Sequence, residues 1–180
     1  MVHPASLRYA LALLIVLSLC AGCGSSDSSK VSAASYVGSV CSALSPLEQD
    51  IVVRTNALKN TSAKNASEAK QKLEVFLSAV EQDSDHALSR IKSAGTPDVS
   101  NGKAASARIV RTFTQLRDAM QTAVTKANAL PTNSPIAFQS AARTLLSSVG
   151  GSLDQIGAGL SNAELEKAAA KQAACKSLNG

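Results

Sequence analysis

Aromatic side chains are scarce in this chain, which has two tyrosines, three phenylalanines and no tryptophan in 180 residues. A β-sandwich core draws on bulky aromatic and β-branched side chains, whereas a core of Ala, Leu, Val and Ile suits helices that approach closely. No stretch alternates apolar and polar residues over a strand's length, so the pattern argues against a sheet protein as the composition does. Histidine is almost missing, and only His86 lies beyond the first ten residues. No G-x-S-x-G is present, so a Ser-His-Asp triad has no nucleophile elbow to stand on. The apolar run Tyr9–Leu19 is shorter than the ~18 residues of a membrane-spanning helix.

What is there is 45% hydrophobic residues, enough for a packed core and too many for wholesale disorder. The length fits one domain. The net charge of +5 is spread along the sequence rather than massed. Such a surplus allows weak attraction to an anionic surface and gives no argument for a nucleic-acid partner. No aromatics interleave with the basic residues, as stacking on single strands would require.

The first residues have a tripartite layout. Met1–Arg8 carries one basic side chain, Tyr9–Leu19 is apolar except for Ser18, and the small residues Ala21 and Gly22 follow. This is the plan of a secretory signal, removed before folding. Cys20 and Cys23 are spaced as C-x-x-C, but a zinc site needs a second ligand pair and none exists. The stretch Ala21-Gly22-Cys23 instead resembles a bacterial lipobox, with Cys20 at the place usually held by leucine. That resemblance implies removal of residues 1–22 and lipidation of Cys23, with thioether-linked acyl chains and one more on the amino group. Each buried methylene contributes ~0.8 kcal/mol, so more than one chain anchors stably to a membrane. Ordinary cleavage nearby, giving a secreted protein, is the rival reading. Either way Arg8 leaves and the net charge falls by one. Residues 23–35, with GSSDSSKVSAAS after the cysteine, then read as a flexible tether.

Residues 36–180 carry helical periodicity almost throughout. Tyr36, Val37, Val40, Cys41, Leu44, Leu47, Ile51, Val52 and Leu58 follow a helical step of three or four with one longer gap, and Pro46 within that series predicts a kink or a split. Asn65 with Glu68 predicts a capped second helix, ended by Gly95 and Pro97. A third follows the turn GTPDVSNG and stops near Leu130-Pro131. Ser134-Pro135 starts a fourth, in which Gly150-Gly151 predict a bend or a close helix approach. Ser161 with Glu164 predicts a short fifth helix ending near Cys175. The expected fold is all-α, an antiparallel up-down bundle of about four long helices plus a short C-terminal one.

With Cys20 removed and Cys23 acylated, Cys41 and Cys175 remain. In an exported chain two cysteines predict a disulfide, here tying the first helix to the last; two buried free thiols are the alternative. The motifs that suggest chemistry are incomplete. GTPDVSNGK has the wrong glycine spacing for a phosphate loop, and Ala104 stands where Ser or Thr would hold magnesium. Ser100 and Lys103 fit S-x-x-K without the accompanying S-D-N and K-T-G. Asp83 and His86 share a helix face, but a metal site would need a further ligand from another helix. No catalytic residue, metal site or cofactor is therefore expected. Arg108 and Arg111, with Arg143, are the candidate patch for an anionic partner; a merely solvated face is the alternative.

Tyr36-Val37, Val40-Cys41, Ala94-Gly95-Thr96-Pro97-Asp98-Val99 with Asn101-Gly102, and Ala174-Cys175 with Leu178 together make the chain resemble the small Ala/Ser-rich lipoproteins and secreted proteins of unknown function from actinobacteria. The resemblance implies an exported helical protein and supplies no catalytic residues. The expected role is a non-enzymatic, membrane-anchored interaction or structural module of the cell envelope. Its partners would be the membrane, through the lipid anchor, and an envelope protein or cell-wall component. The alternative is a carrier of a small apolar ligand, with a cavity near Gly150-Gly151.

Overall fold

The computed structural model describes residues 30–157, 162–176 and 178. The signal segment, Cys23 and Ser161 lie outside the described residues. Among the described residues six helices and two very short strands follow in order: β1 (Lys30–Val31), α1 (Ala33–Asn60), α2 (Ala66–Lys92), β2 (Thr96–Pro97), α3 (Gly102–Asn128), α4 (Pro135–Gly157), α5 (Ala163–Ala169) and α6 (Ala173–Lys176). The class is all-α, as the periodicity predicts.

Short polar side chains set the helix starts. The Asn65 side chain accepts from the Glu68 N–H at 2.9 Å, and the Glu68 carboxylate accepts from the Lys64 N–H at 2.8 Å. This is a reciprocal cap one residue wider than a capping box. Ser134 accepts from the N–H groups of Ala137 and Phe138, so Pro135 falls at the first helical position, where its missing N–H costs nothing. Gly95 takes a left-handed φ of 84° two residues after the Ser93 cap, one place later than its spacing suggests.

Four expectations need correction in whole or in part. Of the kink or split expected at Pro46, the split does not occur, and α1 runs through the proline. A proline removes one i→i−4 bond, and here Ala43 and Leu47, buried on either side of it, hold the helix together. The folded part also begins before Tyr36. Lys30 and Val31 pair in parallel with Thr96 and Pro97, and Ser32 caps α1 by accepting from the Ser35 N–H at 3.1 Å. Residues 30–35 therefore belong to the fold rather than to a tether. Asn162, not Ser161, caps α5, accepting from Glu164 and Leu165, and the C-terminal run breaks at Ala170–Gln172. In one straight helix Leu165 and Cys175 would point roughly 80° apart; the break lets both turn inward and become buried. Finally, of the bend or close helix approach expected at Gly150 and Gly151, the close approach does not occur, since a methyl placed on either would meet open space.

Consecutive helices pack on one another: α1 on α2, α2 on α3 and α3 on α4, while α5 and α6 return to α1. The core forms layers along this axis. Tyr36, Val37, Ala105, Leu165 and Cys175 fill one end. Ala43, Leu88, Ile91 and Phe113 come next, then Leu47, Val80, Ala87 and Met120. Leu73, Leu77, Ala123, Ala127, Leu130 and Leu145 close the far end. Early α1 thus meets late α2, and late α2 meets early α3, so these neighbours run antiparallel. Each layer sets one or two alanines among three or four larger side chains, and the alanines let the backbones approach closely.

Gly102, the first residue of α3, is fixed by contact. A Cβ there would overlap the Pro97 carbonyl oxygen of β2. Gly102→Ala should push β2 away from α3 and cost about 1–3 kcal/mol. Urea unfolding of the variant beside the native protein measures this; an unchanged midpoint would show that the contact carries no constraint.

Candidate functional site

The end of the bundle at which the chain enters the fold has the densest set of constraints. Cys41 of α1 and Cys175 of α6 are joined, with S–S 2.06 Å and Cα atoms 5.1 Å apart, across 134 residues. Cys175 is only 5% exposed, packed in the layer with Tyr36 and Leu165. The sequence-stated pairing of the first and last helices is therefore present. On the opposite flank, Asp98 donates its N–H to the Val31 carbonyl at 2.7 Å, and the Lys30 ammonium lies 3.4 Å from the Asp98 carboxylate. The Ser100 N–H reaches the Glu164 carboxylate of α5 at 3.1 Å, tying the β2–α3 loop to the C-terminal helices.

Tyr36 sits at the centre of this end, fully buried. Its hydroxyl has no hydrogen-bond partner in good geometry. Ser106 stands beside it, but the Ser106 hydroxyl donates to the Gly95 carbonyl at 3.2 Å. Burial pushes the phenol above its ordinary pKa, and the Ser106 hydroxyl offsets part of that rise. The residue acts as a packing block that stays neutral.

Two grooves border this end. One, of about 660 Å³, runs between early α1 and late α2 and is lined by Ser39, Ser42, Ser89, Ser93, Arg90 and Gln172. The other, of about 630 Å³, lies beside the two strands and is bordered by Lys30, Asn101 and Lys103. Ser100 and Lys103 are both exposed here. Asn101 adopts a left-handed φ of 57°, which asparagine tolerates better than most residues.

Folding also sorts charges that look evenly spread in the sequence. The middle of the bundle is acidic, with Asp50, Asp83, Asp85 and Asp118 around Arg54 and Arg117. Both ends are basic. Arg108 and Arg111 are exposed on α3, but Arg143 does not join them. Leu145 packs against Ala123 and Ala127, so Arg143 lies beside late α3. That is at least three turns, or about 18 Å, from Arg111. The expected three-arginine patch is not assembled.

Across the middle, α1 and α2 bring together a cluster that spacing alone does not reveal. Arg54 donates to the Asp50 carboxylate one turn earlier on α1, and Asp83 of α2 faces the same carboxylate. Arg54 holds Asp50 below the ordinary carboxylate range. Partial burial, with the hydrogen bond to Asp50, holds Asp83 above it. His86 is exposed at the edge of this pair. Among the described residues no three His, Cys, Asp or Glu side chains gather as a metal site would require.

No protein-family model matches this chain, nor does any curated protein or solved structure. The residues themselves carry the functional reading. Among the described residues no helix is long and apolar enough to cross a membrane.

Two outcomes follow for this region. Replacing both Cys41 and Cys175 with serine should lower stability by about 2–4 kcal/mol, below the ~5 kcal/mol that chain entropy allows for so long a loop. Denaturant unfolding of oxidised, reduced and variant protein compares the three. Asp83→Asn should instead stabilise the protein at neutral pH by about 0.5 kcal/mol, the scale of a removed like-charge contact. The raised Asp83 pKa means that its contribution is present in acid and lost as pH rises through that value. The gain should therefore vanish at low pH, where native Asp83 is already protonated. Asp50 behaves oppositely, its contribution being lost as pH falls through its lowered pKa. Melting curves across the acidic range separate the two; a pH-independent gain would mean that Asp83 meets no charge.

Proposed function

We propose that this chain is an exported protein, anchored by lipid at Cys23 on the extracytoplasmic face of the cell membrane, that works by binding rather than by catalysis. The observation that carries this reading is the Cys41–Cys175 disulfide. A bond between the first and last helices belongs to an oxidising compartment. It agrees with the signal-like first residues and with the lipobox-like Ala21-Gly22-Cys23. The likeness to actinobacterial Ala/Ser-rich lipoproteins points the same way. The partner class is an envelope protein or a cell-wall component, met by a rigid, closed bundle.

A second reading, carriage of a small apolar ligand, has support in one groove of about 360 Å³ between late α1 and early α2. Ala57, Leu58, Val75 and Phe76 line it, with Arg54 and Lys72 at its rim. It lies away from Gly150 and Gly151, so those glycines have no part in it.

Metabolic labelling with an alkyne fatty acid tests the anchoring. Native protein should take up label and stay with membranes, whereas Cys23→Ser should take up none and appear in the soluble fraction. Equal labelling of the two, or a native product without acyl chains, would end the anchored reading and leave secretion.

A further inference from the structure

We infer that the end of the bundle carrying β1 and β2 rests directly against an anionic lipid surface, so that the protein sits on the membrane with the Cys41–Cys175 end down. The inference rests on the lipid anchor at Cys23 and adds an orientation and a contact surface to it.

Three observations carry it. The chain enters the fold at Lys30, and that entry is pinned by pairing with Thr96 and by the Lys30–Asp98 ion pair. Cys23 lies seven residues upstream, a span of at most ~25 Å even when fully extended. The anchor therefore keeps this end, and no other, within short reach of the bilayer. Second, the exposed cations of late α2, early α3 and α5–α6 gather here. Arg90, Lys92, Lys103, Lys167, Lys171 and Lys176 are all exposed, against the carboxylates Glu164 and Glu166, while Lys30 and Asp98 cancel. Six cations less two acids leaves a surplus of four on this one end. Third, the basic residues of the opposite end, such as Lys59 and Lys64, lie beyond the length of α1, about 40 Å away. At physiological salt a surface charge is screened within ~8 Å, so those distant cations do not feel the bilayer once the anchor is in place.

A cation near an anionic leaflet gains about fivefold in partitioning, equivalent to about 1 kcal/mol each. An acyl anchor with an adjacent basic patch is also a more secure attachment than either alone. The fold thus collects on its anchored end lysines that the sequence scatters between positions 92 and 176.

Lysine footprinting tests this. Acylated protein, purified from membranes and checked by intact mass, is placed in vesicles of phosphatidylcholine alone or of phosphatidylcholine with phosphatidylglycerol. Both are treated briefly with an amine-acetylating reagent and read by peptide mass spectrometry. On the anionic vesicles Lys92, Lys103, Lys167, Lys171 and Lys176 should react about fivefold more slowly than on the neutral ones. Lys59, Lys64 and Lys126 should react alike on both, and high salt should abolish the difference. The triple variant Lys92→Glu, Lys103→Glu and Lys171→Glu should lose the protection of Lys167 and Lys176. Lys59→Glu with Lys64→Glu and Lys126→Glu should keep it. Equal rates at both ends of an acylated protein, or equal protection on neutral vesicles, would overturn the orientation and leave the anchor standing. A product without acyl chains would overturn both.

Discussion

The closure of the chain onto the start of α1 is the constraint on which the rest depends. Cys175 bonds to Cys41 on one flank, and Lys30–Val31 pair with Thr96–Pro97 on the other. Between them Tyr36 is wholly buried and Leu165 nearly so. A core this poor in aromatics fills its volume with alanine and single aliphatic side chains, and each layer contributes modestly. Covalent closure makes up part of the difference by restricting the unfolded chain. It also holds the two short helices α5 and α6 in place; segments of seven and four residues have no independent helical stability.

Much of the fold is legible in the residue pattern, because helical periodicity and caps are local. Asn65 with Glu68, Ser134 with Pro135, and Gly95 announce helix ends through bonds that span four residues or fewer. The features that the residue pattern does not announce have non-local causes. Lys30–Val31 are a polar-looking pair that becomes structured only through a partner more than sixty positions later. Pro46 leaves α1 in one piece because a proline's cost is set against packing on both sides, which a sequence window does not contain. The break between α5 and α6 serves two inward-facing residues whose spacing suits no single helix.

The candidate site was less legible, and for the same reason. The Cys41–Cys175 pair was readable by elimination, since few cysteines remained. The Asp50–Arg54 contact has helical i,i+4 spacing, yet its meaning comes from Asp83, brought opposite by antiparallel packing. Arg143 looked like a partner for Arg108 and Arg111, but the register of α4 on α3 separates them. The sorting of charge into basic ends and an acidic middle exists only in the folded arrangement. Gly102 had no signal beyond being a glycine before a helix; its necessity is set by the Pro97 carbonyl.

The disulfide has one further consequence, which concerns cutting rather than folding. It encloses both the loop between α1 and α2 and the loop between α3 and α4 within a single covalent ring. A protease that severs either loop therefore frees no fragment: the halves stay joined through sulfur, and any group attached at the N-terminus keeps its hold on the C-terminal half. A molecule nicked in either loop would remain in one covalent piece.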